Sequence, residues 1–185
     1  FCMIQYNYFD ENNQAGRSGL KYAYQKNIPV MVMEPLRGGS LVNHLPKEVC
    51  EEFEKVDKDK SAAEWGLRWV WNHEEVMLLL SGMNSIEMIK ENIKIANSAV
   101  ANQFIKEEIE MFQNVKKIMH QTIKIPCTGC NYCMPCPFGV DIPTCLACYN
   151  DIFLDGKMAA FKRYLMQTSL KKDATNASLC EKCGL

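Results

Sequence analysis

Short apolar runs alternating with amphipathic stretches set the architecture of the first 120 residues. Residues 2–8 (CMIQYNY) are apolar and aromatic enough for a buried strand, which leaves through Asp10, Glu11, Asn12 and Asn13. Residues 17–26 have helical composition, and Asn27 ahead of Ile28-Pro29 marks a stop, because proline disfavours the helical conformation in the residue before it. The run VMVM (30–33) is apolar at every position and closes on Glu34-Pro35. Continuous rather than alternating apolar character predicts a strand covered on both faces, as in a parallel sheet. Residues 47–58 are heavily charged and predict a surface helix; 62–71, with Trp65, Leu67, Trp69, Val70 and Trp71, predict a largely buried one. VMLLL (76–80) reads as a third buried strand. Residues 85–98 predict a helix with Ile86, Ile89, Ile93 and Ala96 inward and Ser85 at its start, where Met88 replaces the acid of a capping box. Residues 104–119 predict a long amphipathic helix with Ile105, Ile109, Phe112 and Met119 along one face. This order is the signature of an α/β domain with parallel strands. Three such units suit a doubly wound sheet or part of a (β/α)8 barrel, and periodicity does not separate the two.

From Thr122 the pattern breaks. Cysteine, proline and glycine dominate to Thr144, residues 149–169 predict one or two helices, 171–178 read as a polar linker, and CEKCGL ends the chain. We therefore divide it into 1–122 and 123–185.

Charge and composition narrow the function. The 185 residues carry 21 basic and 22 acidic side chains, with no basic block or aromatic-plus-basic stripe to attract a phosphate backbone, so nucleic acid is not an expected partner. No apolar run approaches the roughly 20 residues of a membrane span. The chain opens at Phe1 inside a hydrophobic run, which reads as a fragment of a longer protein; the lack of a leader then says nothing about location. The ten cysteines speak to it better. Cys2 and Cys50 are isolated, while the other eight follow residue 126 at short spacings. That is the usage of metal ligation in a reducing compartment, not of a disulfide framework, and predicts a cytoplasmic protein.

Cys127, Cys130 and Cys133 repeat at a three-residue step, followed by Cys136-Pro137. The step lets one loop wrap a small inorganic core, each thiolate pointing at a different metal atom while backbone N–H groups face the sulfurs. Zinc in a structural site takes four ligands, commonly as two separated pairs. Three successive steps and a Cys-Pro fit a [4Fe–4S] cluster better, and the Cys-Pro member commonly serves a second cluster. Cys180 and Cys183 look like the start of that second motif. Met134-Pro135 places two residues, not the usual three, before the Cys-Pro, which leaves the sharing of Cys136 open. A zinc-stabilised interaction domain is the alternative. Cys145 and Cys148 form one more pair, read as small buried residues of a helix.

Two glycine-containing turns follow the apolar strands. EPLRGG (34–39) gives a proline-fixed exit and two glycines that let a ligand approach the backbone; SGMNS (81–85) leads into a helix N-terminus suited to an anion. A plain turn accounts equally for either alone. His44, His73 and His120 form no motif.

Taken in order, QYNYFDE, VMVMEPLRGGSL and LLLSGMNSIEMIKENI resemble the last three βα units of an aldo/keto reductase. CTGCNYCMPCPFGVDIP with ASLCEKCG resembles the ferredoxin-type tail of the anaerobe-associated branch of that family. The resemblance implies a TIM barrel followed by a small, mainly α-helical ferredoxin-like domain, with NAD(P)H at the C-terminal ends of the strands and hydride transfer to a small-molecule carbonyl substrate. By position it implies cofactor contacts from Met33, Glu34, Leu36, Gly38 and Gly39 at the nicotinamide and pyrophosphate, Gly82 and Ser85 at the adenosine phosphate, and Glu91 and Asn92 at the adenine. It implies [4Fe–4S] ligands at Cys127, Cys130, Cys133, Cys136, Cys180 and Cys183, two clusters in the full-length protein, and a possible redox partner protein. Met3, Met33 and Met88 stand where many members carry glutamine, tyrosine and arginine. The catalytic tyrosine and its aspartate, lysine and histidine partners would precede Phe1. No residue here is assigned to catalysis, and the fragment alone is expected to be inactive. Tyr6, Tyr8 and Tyr22 are core or surface aromatics. The competing description is a non-catalytic electron-transfer or binding module on a degenerate barrel.

Overall fold

A computed structural model describes residues 1–184. The chain divides into two compact units, Phe1–Met119 and His120–Leu185.

The first unit is built on a sheet of three parallel strands in the order β1-β2-β3: β1 (Cys2–Gln5), β2 (Val30–Met33) and β3 (Val76–Leu79). Between and after them lie α1 (Gly16–Gln25), α2 (Ser40–Asn43), α3 (Lys47–Val56), α4 (Ala62–Trp71), α5 (Ile86–Ser98) and α6 (Lys106–Thr122). Asn27 ends α1 as the sequence predicts. It takes a left-handed φ of 55°, so that Ile28 N–H reaches Ala23 O at 2.9 Å and Asn27 N–H reaches Tyr24 O at 2.9 Å, the paired bonds of a Schellman stop. Ser61 caps α4 and Ser85 caps α5, each hydroxyl accepting an N–H three residues on, from Glu64 at 3.0 Å and Met88 at 3.2 Å.

The core is aromatic. Trp65 and Trp69 of α4 meet Phe53 of α3, Phe112 of α6 and Tyr8 beyond β1; Phe53 stacks on Trp65 at 6.0 Å and Tyr8 tilts against Phe112 at 5.4 Å. Tyr6 and Tyr8 are fully buried, and Tyr22 is on the surface. Burying one such ring is worth about 2–3 kcal/mol relative to leaving it in water.

Several expected faces turn out differently. The charged helix α3 is not purely a surface element: Val49 and Phe53 are buried beneath its charges. On α5, Ile86 (65 %), Ile89 (42 %) and Ile93 (55 %) are exposed and Ile95 is the buried residue. Ile105, just before α6, and Ile109 on it are exposed, while Met111 and Val115 join Phe112 and Met119 inside. Periodicity finds an apolar stripe but not the side from which a neighbour covers it. Nor are the strands covered on both faces throughout. Val30 and Val32 are buried, but Met3 and Met77 are exposed, because three strands make too narrow a sheet for every apolar side chain to find a second layer.

In the second unit, α7 (Ile142–Leu154) and α8 (Lys157–Tyr164) pack together, and α8 runs on into a π-helical turn, Leu165–Ser169. Asp141 caps α7 through Thr144 N–H at 3.2 Å. The presumed linker 171–178 is tied down: Thr175 N–H donates to Thr168 O at 2.7 Å, and Thr175 O accepts Asp141 N–H at 2.8 Å. Among the described residues, no helix is long and apolar enough to cross a membrane.

Candidate functional site

Because β2 and β3 are parallel neighbours, the loops that follow them leave at the same end of the sheet. There they enclose a cavity of about 850 Å³. It brings together Met33, Glu34, Leu36, Gly38 and Gly39 from the first loop, Gly82 from the second, and Glu91 and Asn92 from α5. Of the residues that the resemblance implied, Ser85 stands apart: its hydroxyl is engaged as the α5 cap and it is not part of the cavity wall. The wall also includes Asn43, Leu80, Ser81, Asn84 and Met88. Asn92 Nδ2 donates to Ser81 Oγ at 3.0 Å, which fixes the amide beside the second loop; Ser61 Oγ donates to Glu91 Oε1 at 2.6 Å, which ties α4 to α5.

The first loop is unusual in its backbone. Glu34 (φ 55°) and Arg37 (φ 51°) both take left-handed conformations, as do Gly38 and Gly39 (φ 86°). Such a conformation costs a non-glycine residue about 1–3 kcal/mol and persists only where the surroundings hold it. Here they do. Asn7 Nδ2 donates to Glu34 O at 3.0 Å, and the Arg37 guanidinium pairs through Nε with Asp10 Oδ2 at 3.1 Å and lies 4.9 Å above the Phe9 ring. Asp10 is only 2 % exposed and accepts further bonds from Asn13 Nδ2 (2.9 Å), Asn7 Nδ2 (3.2 Å) and Gln5 Nε2 (3.4 Å). The two loops after β1 and β2 are thus joined by one buried polar network. Sequence reasoning missed Asn7, Asp10 and Arg37; the signal was an asparagine inside an apolar run, with an acid after one strand and a base after its neighbour.

A second polar cluster lies elsewhere in this unit. Arg17 Nη1 donates to His73 Nε2 at 2.8 Å, and His73 Nδ1 donates to Trp69 O at 2.9 Å, which fixes a neutral imidazole. Burial, reinforced by Arg17, holds His73 below its ordinary value; burial and Glu11 push the Tyr6 phenol up to about 12. His73 is therefore a satisfied core histidine.

In the second unit the candidate ligands Cys127, Cys130, Cys133, Cys136, Cys180 and Cys183 are free thiols, exposed or half-buried. Among the described residues no three Cys, His, Asp or Glu side chains converge on one point, so the expected gathering of the three-step run around a common centre is not present. Thiolates repel one another, and the binding energy of the metal is itself what closes such a site. The kind of donor and the backbone nonetheless fit an iron–sulfur group. Asn131 and Lys182, each inside a Cys-x-x-Cys step, take positive φ, and Lys182 N–H points at Cys180 Sγ at 3.4 Å. A hydrogen bond from Tyr132 N–H, with Thr128, holds the Cys130 thiol below its usual range. The chain leaving Cys136 runs beside the chain entering Cys180: a Cβ on Gly139 would lie 4.0 Å from Leu179 Cδ1. Cys145 and Cys148 sit on α7, raised mainly by burial, with Cys148 buried. Cys145 is half-buried, and both line an apolar cavity beside α8.

The sequence profile of the Aldo/keto reductase family matches residues 1–116. This chain belongs to that family. A curated relative within reach, an oxidoreductase of Schizosaccharomyces pombe described as uncharacterized, is 29 % identical over 97 residues, 52 % of this chain and 31 % of that protein. Among solved structures, the apo form of aldo-keto reductase AKR11C1 from Bacillus halodurans superposes with a TM-score of 0.47 at 21 % identity, over 61 % of this chain and 42 % of that one. Its holo form gives 0.45 and 19 %, over 61 % and 41 %. The chain thus spans less than half the length of the family members it matches.

Proposed function

We propose that this chain forms the cofactor-holding end of an NAD(P)H-dependent aldo/keto-reductase-type oxidoreductase, with a second unit that holds [4Fe–4S] clusters for electron transfer. The observation that carries the reading is the cavity at the strand ends, where residues from two βα loops and α5 meet around a space of about 850 Å³. Met33, Leu36 and Leu80 offer an apolar wall; Glu91 and Asn92 offer a fixed acceptor and an amide for a base edge; Gly39 at φ 86° lets the first loop turn close to a ligand. A bound nicotinamide supplies the hydride, and the substrate class is a small carbonyl compound. The role of these residues is to orient the nucleotide and keep water from it. Cys127, Cys130, Cys133, Cys136, Cys180 and Cys183 would hold the clusters, which store and pass single electrons. A redox partner protein follows from that chemistry, as does a reducing, cytoplasmic setting.

The complete protein, purified without oxygen, tests the reading. Iron and acid-labile sulfide in equal amounts, and bleaching of the cluster absorbance on rapid mixing with reduced nicotinamide, are the expected results. Zinc without iron would remove the electron-transfer half, and clusters that stay oxidised through turnover would separate the two chemistries.

A further inference from the structure

Two helices packed as a hairpin cover their apolar stripes against each other, and α7 and α8 do so only in part. Along α7 the stripe runs from Cys145 through Cys148 and Tyr149 to Ile152; along α8 it runs through Met158 and Phe161 to Tyr164. Both sets recur at steps of three or four, so each lies on one helix face, and together they line an apolar groove of about 510 Å³. Cys148 and Ala160 are buried at its floor, while Tyr149 (46 %), Met158 (79 %) and Phe161 (55 %) stand exposed along its rim. We infer that this groove docks an amphipathic helix of a partner protein, one whose apolar stripe is flanked by carboxylates. The inference stands apart from whether this unit holds clusters.

Shape selects the helix. Each wall is two helical turns long, about 10 Å, the length over which a docked helix presents anchors at i, i+3, i+4 and i+7. Met158 is unbranched and adapts to the surface it meets, and Tyr149 and Phe161 are rings of the kind enriched where partners bury each other. Charge selects the flanks. Lys157 belongs to the groove wall, and Lys162 follows Met158 by one helical turn, beside the same rim. Both are exposed, and among the described residues neither is in an ion pair. The acids of the hairpin are engaged: Arg163 holds Asp151 at 2.5 Å and Asp155 at 2.9 Å, and Asp141 caps α7. The rim therefore offers two ammonium groups with no carboxylate of its own to answer them. A helix with acids beside its apolar stripe is steered in, and a basic one is repelled.

Two synthetic helical peptides test this on the complete protein. Both carry leucine and phenylalanine at i, i+3, i+4 and i+7; one is flanked by glutamate, the other by lysine. Read by fluorescence anisotropy, the glutamate peptide should bind at least about tenfold more tightly at low salt. The gap should close towards about 1 M salt, where the Debye length falls to about 3 Å. Phe161→Ala should weaken the glutamate peptide about tenfold. Lys157→Glu together with Lys162→Glu should invert the preference, an outcome that unfolding would not produce; both positions are exposed, and the first opens α8, where an acid is favoured. Equal binding of the two peptides, binding of neither, or a preference that survives the charge reversal would overturn the inference. A complete protein that is dimeric and becomes monomeric on Phe161→Ala would assign the groove to a second copy and overturn it as well.

Discussion

Substituting Arg37 with methionine removes one charge of the buried pair that joins the first two loops, while keeping most of the apolar stem. The cost follows from what Asp10 retains. Its carboxylate stays 2 % exposed, losing the guanidinium at 3.1 Å but keeping amide donors from Asn13 at 2.9 Å, Asn7 at 3.2 Å and Gln5 at 3.4 Å. Breaking a buried pair by removing one partner costs about 3–5 kcal/mol, and three remaining dipoles place this one near the lower end, about 3 kcal/mol. With a urea dependence of about 2 kcal/mol/M, the unfolding midpoint should fall by about 1.5 M. The natural probe is tryptophan fluorescence, since Trp65, Trp69 and Trp71, the three tryptophans of the chain, all sit on α4 beside this loop. Pairing the substitution with Asp10→Asn removes the stranded charge, so the double variant should recover about half the loss. A midpoint shift below about 0.3 M, or a double variant no more stable than the single one, would refute the claim that this pair anchors the loop.

Other expected outcomes follow from single contacts. Gly16 holds φ +53° with a would-be Cβ only 2.9 Å from the Glu11 backbone oxygen, so Gly16→Ala should cost about 2 kcal/mol in the same urea titration. A Cβ on Gly66 would lie 2.6 Å from Leu36 Cδ2, the flexible tip of a cavity-lining side chain; on the proposed reading, Gly66→Ala should push Leu36 into the cavity and weaken binding of the nicotinamide dinucleotide more than it lowers the unfolding midpoint. His73 is neutral in the native fold, with its pKa below the unfolded value of about 6.5, so the unfolded chain binds the extra proton below that pH. Stability should therefore fall as pH drops from 7 towards the lower native value. His73→Gln should flatten the urea midpoint between pH 7 and 5.5, and an unchanged slope would show that another group governs it.

Much of the fold could be read along the chain. VMVM and VMLLL are too short for helices and too uniformly apolar for loops, and they are β2 and β3; Asn27-Ile28-Pro29 forces the end of α1; Ser85 caps α5. The candidate site was legible in part. Glycine turns after strands mark where a ligand can approach, and eight of the nine residues implied there line one cavity, while Ser85 does not. Asn7, Asp10 and Arg37 escaped, because a polar residue's partner 27 positions away leaves no local period. The cysteine rhythm was plain, but its closure was not visible as a set of converged ligands, since thiolates draw together only around the ion they bind.

The sequence by itself determined the alternation of strand and helix, the helix stops and caps, and the donor chemistry of the second unit, because each depends on residues within a few positions of one another. Tertiary structure alone decided which side of α5 and α6 is buried, how Glu34 and Arg37 are held in left-handed conformations, and that the cavity wall is acidic with Arg37 turned away from it. Those outcomes depend on which surfaces the chain brings face to face. Burial and charge pairing act through space, whereas periodicity records only neighbours along the chain.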